Sequence, residues 1–452
     1  MKFLKVTAWV TGITLAVLAI AGWVVTSLYE DEVKAILLQR INDRLATEVQ
    51  VQELELSIWK TFPYAALEFN GITADEYQEE SAVADTLFHF DQLYLQFSLK
   101  DLWKEDYRIE KVLARGGFLD LRIEANGADN YHIWKPSSDT SSSGEFLFEL
   151  ENVTTENVRI TYRHLGKEEH IGFDAEEATL RGRFSDTRYE LAITAATGIR
   201  AFRIGKTDYG AGRDAELSVL LDIDREADTY TIREGELVID DLLHFGINGA
   251  LLEDGLDLTF TGDNLDLLAT RTLLPATVQK PLENYRSEGV LDFELRMVGA
   301  FSRKDYPAMT ATFGIRNGAI EHRATGHELT GISLNGSYTN GKRHRAASSR
   351  LEIDTISARL GEGTINGQFV LQNFERPQVR LDAQTAFALE DWREFLNLDQ
   401  FETLSGQVEA DVQYSGKLKA PDQLTADDLD RMKGSGTIRL QDAHFVLKGQ
   451  DR

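Results

Sequence analysis

The chain has no cysteine in 452 residues. A disulfide framework, a thiolate zinc site and a cysteine nucleophile are therefore excluded. Basic residues are also in short supply: 48 Lys and Arg face 74 Asp and Glu, a formal net charge of −26. Nucleic-acid binding rests on cations that neutralise phosphates, so this balance excludes it as a general property. The same charge repels an anionic membrane face, so lipid contact by the body should run through apolar surface. Acidity also keeps a large β protein soluble, which is the plainer reading. Catalytic signatures are missing too. None of the nine histidines forms a His-Glu-x-x-His pair. His322 and His327, five apart in strand context, should face opposite sides, and each histidine reads as a surface residue. There is no Gly-x-Ser-x-Gly elbow and no phosphate-binding Gly-x-x-x-x-Gly-Lys-Ser/Thr loop. Gly361-Glu362-Gly363 reads as turn chemistry. Asp240-Asp241 and Asp427-Asp428 read as solvated loop carboxylates rather than a calcium edge or a glycosidase pair. The chain is expected not to be an enzyme and to need no cofactor or metal.

What is present is globular composition, 42% hydrophobic and 27% charged, in a chain too long for one ordinary core. Residues 6–28 form a 23-residue run without a charge, about 34 Å long as a helix and enough to cross a bilayer. Trp9 and Trp23 sit near its ends, Lys2 and Lys5 precede it, and Glu30, Asp31 and Glu32 follow. That asymmetry puts the N-terminus in the cytoplasm and the body outside the inner membrane. A cleaved signal peptide is the alternative, with Ala19-Ile20-Ala21 as the cleavage site. The run continues through Trp23, Val24 and Val25, which favours a retained anchor. Val33, Ile36, Leu37, Ile41 and Leu45 then recur at helical spacing and predict an amphipathic helix.

From about Val49 the period changes to two. Leu256, Leu258 and Phe260 alternate with Asp257 and Thr259. Leu291, Phe293, Leu295 and Met297 alternate with Asp292, Glu294 and Arg296. Val408, Ala410, Val412 and Tyr414 alternate with Glu409, Asp411 and Gln413. Such strands have one apolar and one wet face, which indicates antiparallel sheet covered on one side. Asn317-Gly318, Asn340-Gly341 and Asp254-Gly255 suit hairpin turns. Short helices are expected at 265–274 and 389–396. Residues 136–144, rich in serine, read as a linker. Asn152-Val153-Thr154 and Asn335-Gly336-Ser337 match a glycosylation sequon and are taken as chance.

An internal repeat is visible. Ile247-Asn248-Gly249 is matched by Ile365-Asn366-Gly367. Each is followed by a strand, a short helix and another strand. Gly289 and Gly299 recur as Gly406 and Gly416, at a shift of 117 residues. Repetition at a fixed period suggests stacked units sharing one apolar face.

The N-terminal third resembles the AsmA-like family of inner-membrane-anchored periplasmic proteins. The resemblance rests on the anchor, the amphipathic helix and an ordered series of segments. These are Val49-Gln50-Val51, Trp59-Lys60-Thr61-Phe62-Pro63, Leu67-Glu68-Phe69-Asn70-Gly71, and the run from Phe90 to Phe97. Ser98-Leu99-Lys100-Asp101-Leu102-Trp103, Ile109-Glu110-Lys111-Val112 and Leu119-Asp120-Leu121-Arg122 come next. Gly127-Ala128-Asp129-Asn130-Tyr131 closes the series, which covers residues 1–135. The chain ends in a strand, where relatives are expected to continue, so a partial chain is suspected. The resemblance implies a mainly β fold: a transmembrane helix and an amphipathic helix followed by an elongated antiparallel β-sheet groove, β-taco-like, of repeated strand units. The expected organisation is residues 1–28 as cytoplasmic tip and anchor, 29–135 as an N-terminal module, 136–144 as linker and 145–452 as the groove. The implied role is outer-membrane biogenesis, with phospholipid carried or regulated through the groove. The alternative is a structural or regulatory partner of an outer-membrane assembly machine. Lipid would face Leu256, Leu258, Phe260, Leu291, Phe293, Leu295, Val408 and Val412. For any one of these, lining a closed sandwich core is an equal reading.

Overall fold

The structure is a computed structural model that describes residues 39, 42, 43, 45–57, 64–76, 85–98, 109–133, 135, 152–183, 187–205, 207–208, 211–273, 279, 283–300, 306–395, 398, 401–418 and 432–447. The expected anchor at 6–28, most of the amphipathic helix and the linker at 136–144 lie outside these residues. Among the described residues no helix is long and apolar enough to cross a membrane. The chain is mainly β, and its strands pair almost throughout with their neighbours in sequence. Two compact units are present: one comprises residues 1–186 and 195–205, the other 187–194 and 206–452.

The first unit holds β1 (Val49–Ser57), β2 (Tyr64–Asp75), β3 (Thr86–Ser98), β4 (Ile109–Arg115), β5 (Phe118–Ile123), β6 (Asn152–His164) and β7 (Glu169–Gly182), with part of β8 (Arg188–Ile204). The first three form an antiparallel meander. The β4 and β5 segments are two halves of one broken strand, and both pair with β3 and with β6. Gly116 and Gly117 make the break. Both have positive φ, and a Cβ on Gly117 would strike the His89 carbonyl. The pairing with β6 is parallel, against the all-antiparallel expectation. A parallel return needs a long connection, which residues 124–151 supply.

The core of this unit gathers Val49, Leu54, Leu67, Phe69, Ile72, Leu87, Phe97 and Ile109. Beside it lies a buried polar knot. Arg122 donates from Nη2 to both Glu76 oxygens at 2.8 and 2.7 Å. Asn130 donates to Glu76 at 3.3 Å and to the Asp120 carbonyl at 2.9 Å, and its Oδ1 accepts from the Arg122 backbone at 2.7 Å. The Gly-x-x-Asn-Tyr segment is thus tied to β2 and β5 by the asparagine side chain. A buried carboxylate persists only when paired and hydrogen-bonded in this way.

The second unit begins with the start of β8. It continues through β9 (Thr207–Asp208), β10 (Arg213–Asp224), β11 (Thr229–Ile239), β12 (Leu243–Leu252), β13 (Gly255–Asp266), β14 (Tyr285–Gly299) and β15 (Ala308–His322). Then come β16 (Glu328–Thr339), β17 (Arg350–Leu360), β18 (Gly363–Gln372), β19 (Gln378–Ala388), β20 (Phe401–Lys417) and β21 (Lys433–Leu447). From β10 to β21 each strand pairs antiparallel with the next. Among the described residues two short α-helices interrupt the meander, α1 (Leu267–Arg271) after β13 and α2 (Leu389–Phe395) after β19, and a 3-10 turn lies at Ala346–Ser348. The two α-helices fall within the expected segments at 265–274 and 389–396. Asp266 caps α1 by accepting from the Ala269 amide at 2.7 Å.

The internal repeat is structural. The order β12, β13, α1, β14 recurs as β18, β19, α2, β20. Gly289 and Gly406 both sit at bulges with positive φ, +134° and +119°. The turn expectations divide. The chain turns at Glu253-Asp254, immediately before Gly255, and at Gly361-Glu362. Asn317-Gly318 is not a hairpin turn but an interruption inside β15, where the register with β16 shifts. Asn317 adopts the left-handed φ of 52° that the bulge needs, so the dipeptide's turn chemistry is used within a strand.

Candidate functional site: an apolar face

Cross-strand partners point to the same side of a sheet, so the register fixes one face from strand to strand. Leu256, Leu258 and Phe260 oppose Gly299, Met297 and Leu295. Phe293 opposes Gly262 and Leu291 opposes Leu265. From Leu291 one row runs through Ile315, Leu334, Ile356, Gly367 and Ala383 to Val412. Phe387 opposes Val408. All eight residues singled out in the sequence therefore share one face of the second unit. Their companions Asp257, Asp292 and Asp411 share the other.

The face is apolar without being sealed. Leu256, Leu258 and Val408 are buried, at 7–8% exposure, whereas Phe260, Leu291, Phe293, Leu295 and Val412 are only half-buried. The packed cluster found here among the described residues is small: Ile239, Leu243 and Leu265, with Phe245, Ala269, Leu273, Leu291 and Phe293 against it. A sandwich would bury its inner rows against a second sheet. Among the described residues no second sheet lies on these rows.

Aromatic rings pave part of the face, and glycines make room for them. A Cβ on Gly262 would come within 2.5 Å of Phe293 Cε1, and one on Gly336 within 2.7 Å of Phe313 Cζ. Each ring lies over the neighbouring strand's glycine. Such inner-facing glycines interrupt the apolar alternation, which is why Phe313 and Phe369 did not stand out from sequence.

The face is concave. The Tyr285 ring at the start of β14 lies 5.8 Å from Phe395 of α2, which follows β19. Five strand spacings in a flat sheet would amount to about 24 Å, more than the ~10 Å length of this helix can bridge. The sheet must curl for the contact to form. α2 then lies inside the curl, with Trp392 edge-on to Phe387 at 5.4 Å and to Phe395 at 6.1 Å. α1 and α2 follow corresponding strands and so occupy the same rim. The opposite rim carries Tyr230, Leu251, Leu252 and Tyr306, all exposed at 38–54%.

Buried hydroxyls near this helix find no partner within the described residues. They are Ser287 Oγ and Thr385 Oγ1, and Trp392 Nε1 is similarly unpaired. His322 departs from the surface reading: it is 6% exposed and stacks edge-on against Tyr285 at 5.1 Å. It and His327 do not sit on opposite faces of one strand. They close a turn, the His322 amide donating to the His327 carbonyl at 2.9 Å.

The wet face is laced by cross-strand ion pairs. Arg296 meets Asp257 at 3.1 Å and Arg316 meets Asp292 at 2.7 Å. The Asn264 amide donates to Asp292 at 2.8 Å, and together with Arg316 it holds that carboxyl below its ordinary value. Glu394 is likewise lowered, chiefly by its hydrogen bond from Arg393. No group of acidic and histidine residues among the described residues is arranged to hold a metal ion.

The second unit is thus an antiparallel meander curled about an apolar, half-covered face. Compared with protein families, curated proteins and solved structures, the chain matches none.

Proposed function

We propose that this chain is a membrane-anchored periplasmic protein of outer-membrane biogenesis, without catalytic activity, that carries or regulates phospholipid along a β-taco-like apolar trough. The observation that supports the reading is the apolar face that continues from β13 to β20 and stays half-buried. An apolar surface of that reach is unusual on a soluble protein unless something apolar occupies it. Acyl chains fit its chemistry, since it offers aliphatic side chains and ring faces while polar groups point away. The N-terminal run at 6–28 would hold the trough beside the membrane that supplies the lipid.

Photo-crosslinkers at Leu258, Phe293 and Val412 should capture phospholipid in cells, identified by mass spectrometry. Those at Asp257, Asp292 and Asp411 should not. Equal capture on both faces, or none on either, would remove the lipid reading. A second reading is a structural or regulatory partner of an outer-membrane assembly machine. Its support is β21, which among the described residues pairs only with β20 and whose Ile438, Leu440 and Phe445 are 54–60% exposed. An unpaired apolar edge is a template for another strand.

A further inference from the structure

Arginines on the wet face of the second unit are mostly answered by carboxylates, as at Asp257, Asp292 and Glu352. One region gathers several cations without such a partner. A concavity of about 940 Å³ opens on that face near the ends of β17 to β21. Arg380, Lys417 and Lys433 line it, and none of them has a carboxylate within ion-pair distance among the described residues. Their placement is set by the register. Arg380 opposes Ser415, and Ser415 opposes Lys433, so these three form one row across β19, β20 and β21. The adjacent row is Arg350, Gln372, Gln378 and Lys417. Side chains in both rows leave the same side of the sheet and converge on the concavity. Arg350 is committed to Glu352 at 2.7 Å, and Asp382 accepts from Gln413 at 3.0 Å. Among the described lining residues three cations and one carboxylate remain, in a chain of net −26.

We propose that this concavity is a binding site for a phosphate-bearing polar group. A guanidinium fork beside two ammonium groups suits phosphate oxygens, which take up planar and point-charge donors together. Ser415 and the two glutamine amides add neutral donors for the remaining oxygens or for hydroxyls on the same ligand. The volume exceeds that of a bare phosphate, so the group belongs to a larger phosphoester, either soluble or the headgroup of an amphiphile. The site lies on the face opposite the apolar trough and does not depend on what the trough carries.

The test uses the full chain in neutral detergent, titrated calorimetrically with inorganic pyrophosphate. Separately, it is floated with phosphatidylcholine vesicles with and without phosphatidylglycerol. The Arg380→Gln/Lys433→Gln variant is the probe. Arg296→Gln, which removes a paired arginine of the same face, is the control. The expected result is pyrophosphate binding that weakens about tenfold or more in the double variant and stays unchanged in the control. Pyrophosphate binding together with phosphatidylglycerol flotation marks a phosphate site open to either source. Flotation alone, lost in the double variant, marks a headgroup site. Three outcomes overturn the proposal: no response to either probe, equal binding by the double variant, or binding of tetraglutamate as tight as that of pyrophosphate.

Discussion

Asp292 shows what a single wet-face residue contributes. It receives the Asn264 amide and the Arg316 guanidinium, and both favour its charged form. A carboxyl with a depressed folded pKa stabilises the fold above its unfolded value of about 3.9, and that contribution is lost as pH falls through the folded value. Arg316→Gln removes one of the two donors and leaves the backbone one. The Asp292 pKa in this variant should rise part of the way toward the ordinary value, read by NMR titration of the labelled carboxyl. An unchanged or lower pKa would contradict the pairing. At this scale the sequence was legible for alternation and little else. Leu256, Leu258, Phe260, Leu291, Phe293 and Leu295 fall on one face because side chains alternate, and alternation is a local property. The burial of His322 was not legible, because it depends on Tyr285, which is distant in sequence and adjacent only through the β14–β15 register. The three unpaired cations were hidden for the same reason: Arg380, Lys417 and Lys433 are neighbours only across strands.

Among the elements, α2 does the most to shape the apolar face. Its Phe395 is 6% exposed and joins Tyr285 of β14 to Trp392 of its own helix. α1 has no fully buried side chain and rests more lightly on the cluster around Leu265. Phe395→Ala should therefore cost about 3–5 kcal/mol, the usual loss for a buried aromatic truncated to alanine. The loss should fall on the strands that α2 bridges. Amide exchange at the start of β14 and the end of β19 should accelerate, while exchange in β1 to β3 stays unchanged. Uniform acceleration over both units would mean that α2 does not act locally. Both helices were legible in sequence, and so was the repeat that carries them, because Ile-Asn-Gly and the spaced glycines mark corresponding strands. The parallel pairing of β6 was not legible. Nothing local distinguishes a strand that returns by crossover from one that returns by hairpin. The Asn317-Gly318 bulge was misread for a related reason: a dipeptide suited to positive φ serves a turn or a bulge alike, and the register decides which.

At the scale of the whole molecule, an open trough and a packed core give opposite answers to one substitution. Phe293 sits on the apolar face, half-buried, with its ring over Gly262 and 6.2 Å from Phe245. Its row continues through Phe313, Gly336, Ile353, Phe369 and Leu381 to Tyr414. Phe293→Asp keeps every backbone hydrogen bond of β14 and β15 available, since the ladder does not involve the side chain. In a closed core the new carboxylate would be desolvated without a partner, a cost of several kcal/mol that unfolds the unit. In an open trough the smaller side chain can reach water along the uncovered face, and the fold survives. Acyl chains filling the trough would cut that carboxylate off from water, so their passage would still be obstructed. The half-burial of Phe260, Leu291, Leu295 and Val412 favours the second outcome. Phe293→Asp should therefore keep the strand signal in circular dichroism and lose phospholipid capture by a crosslinker at Val412, six strands further along the sheet. Loss of the strand signal would identify a packed core and withdraw the trough. Unchanged capture at Val412 with the fold intact would show that lipid does not pass Phe293.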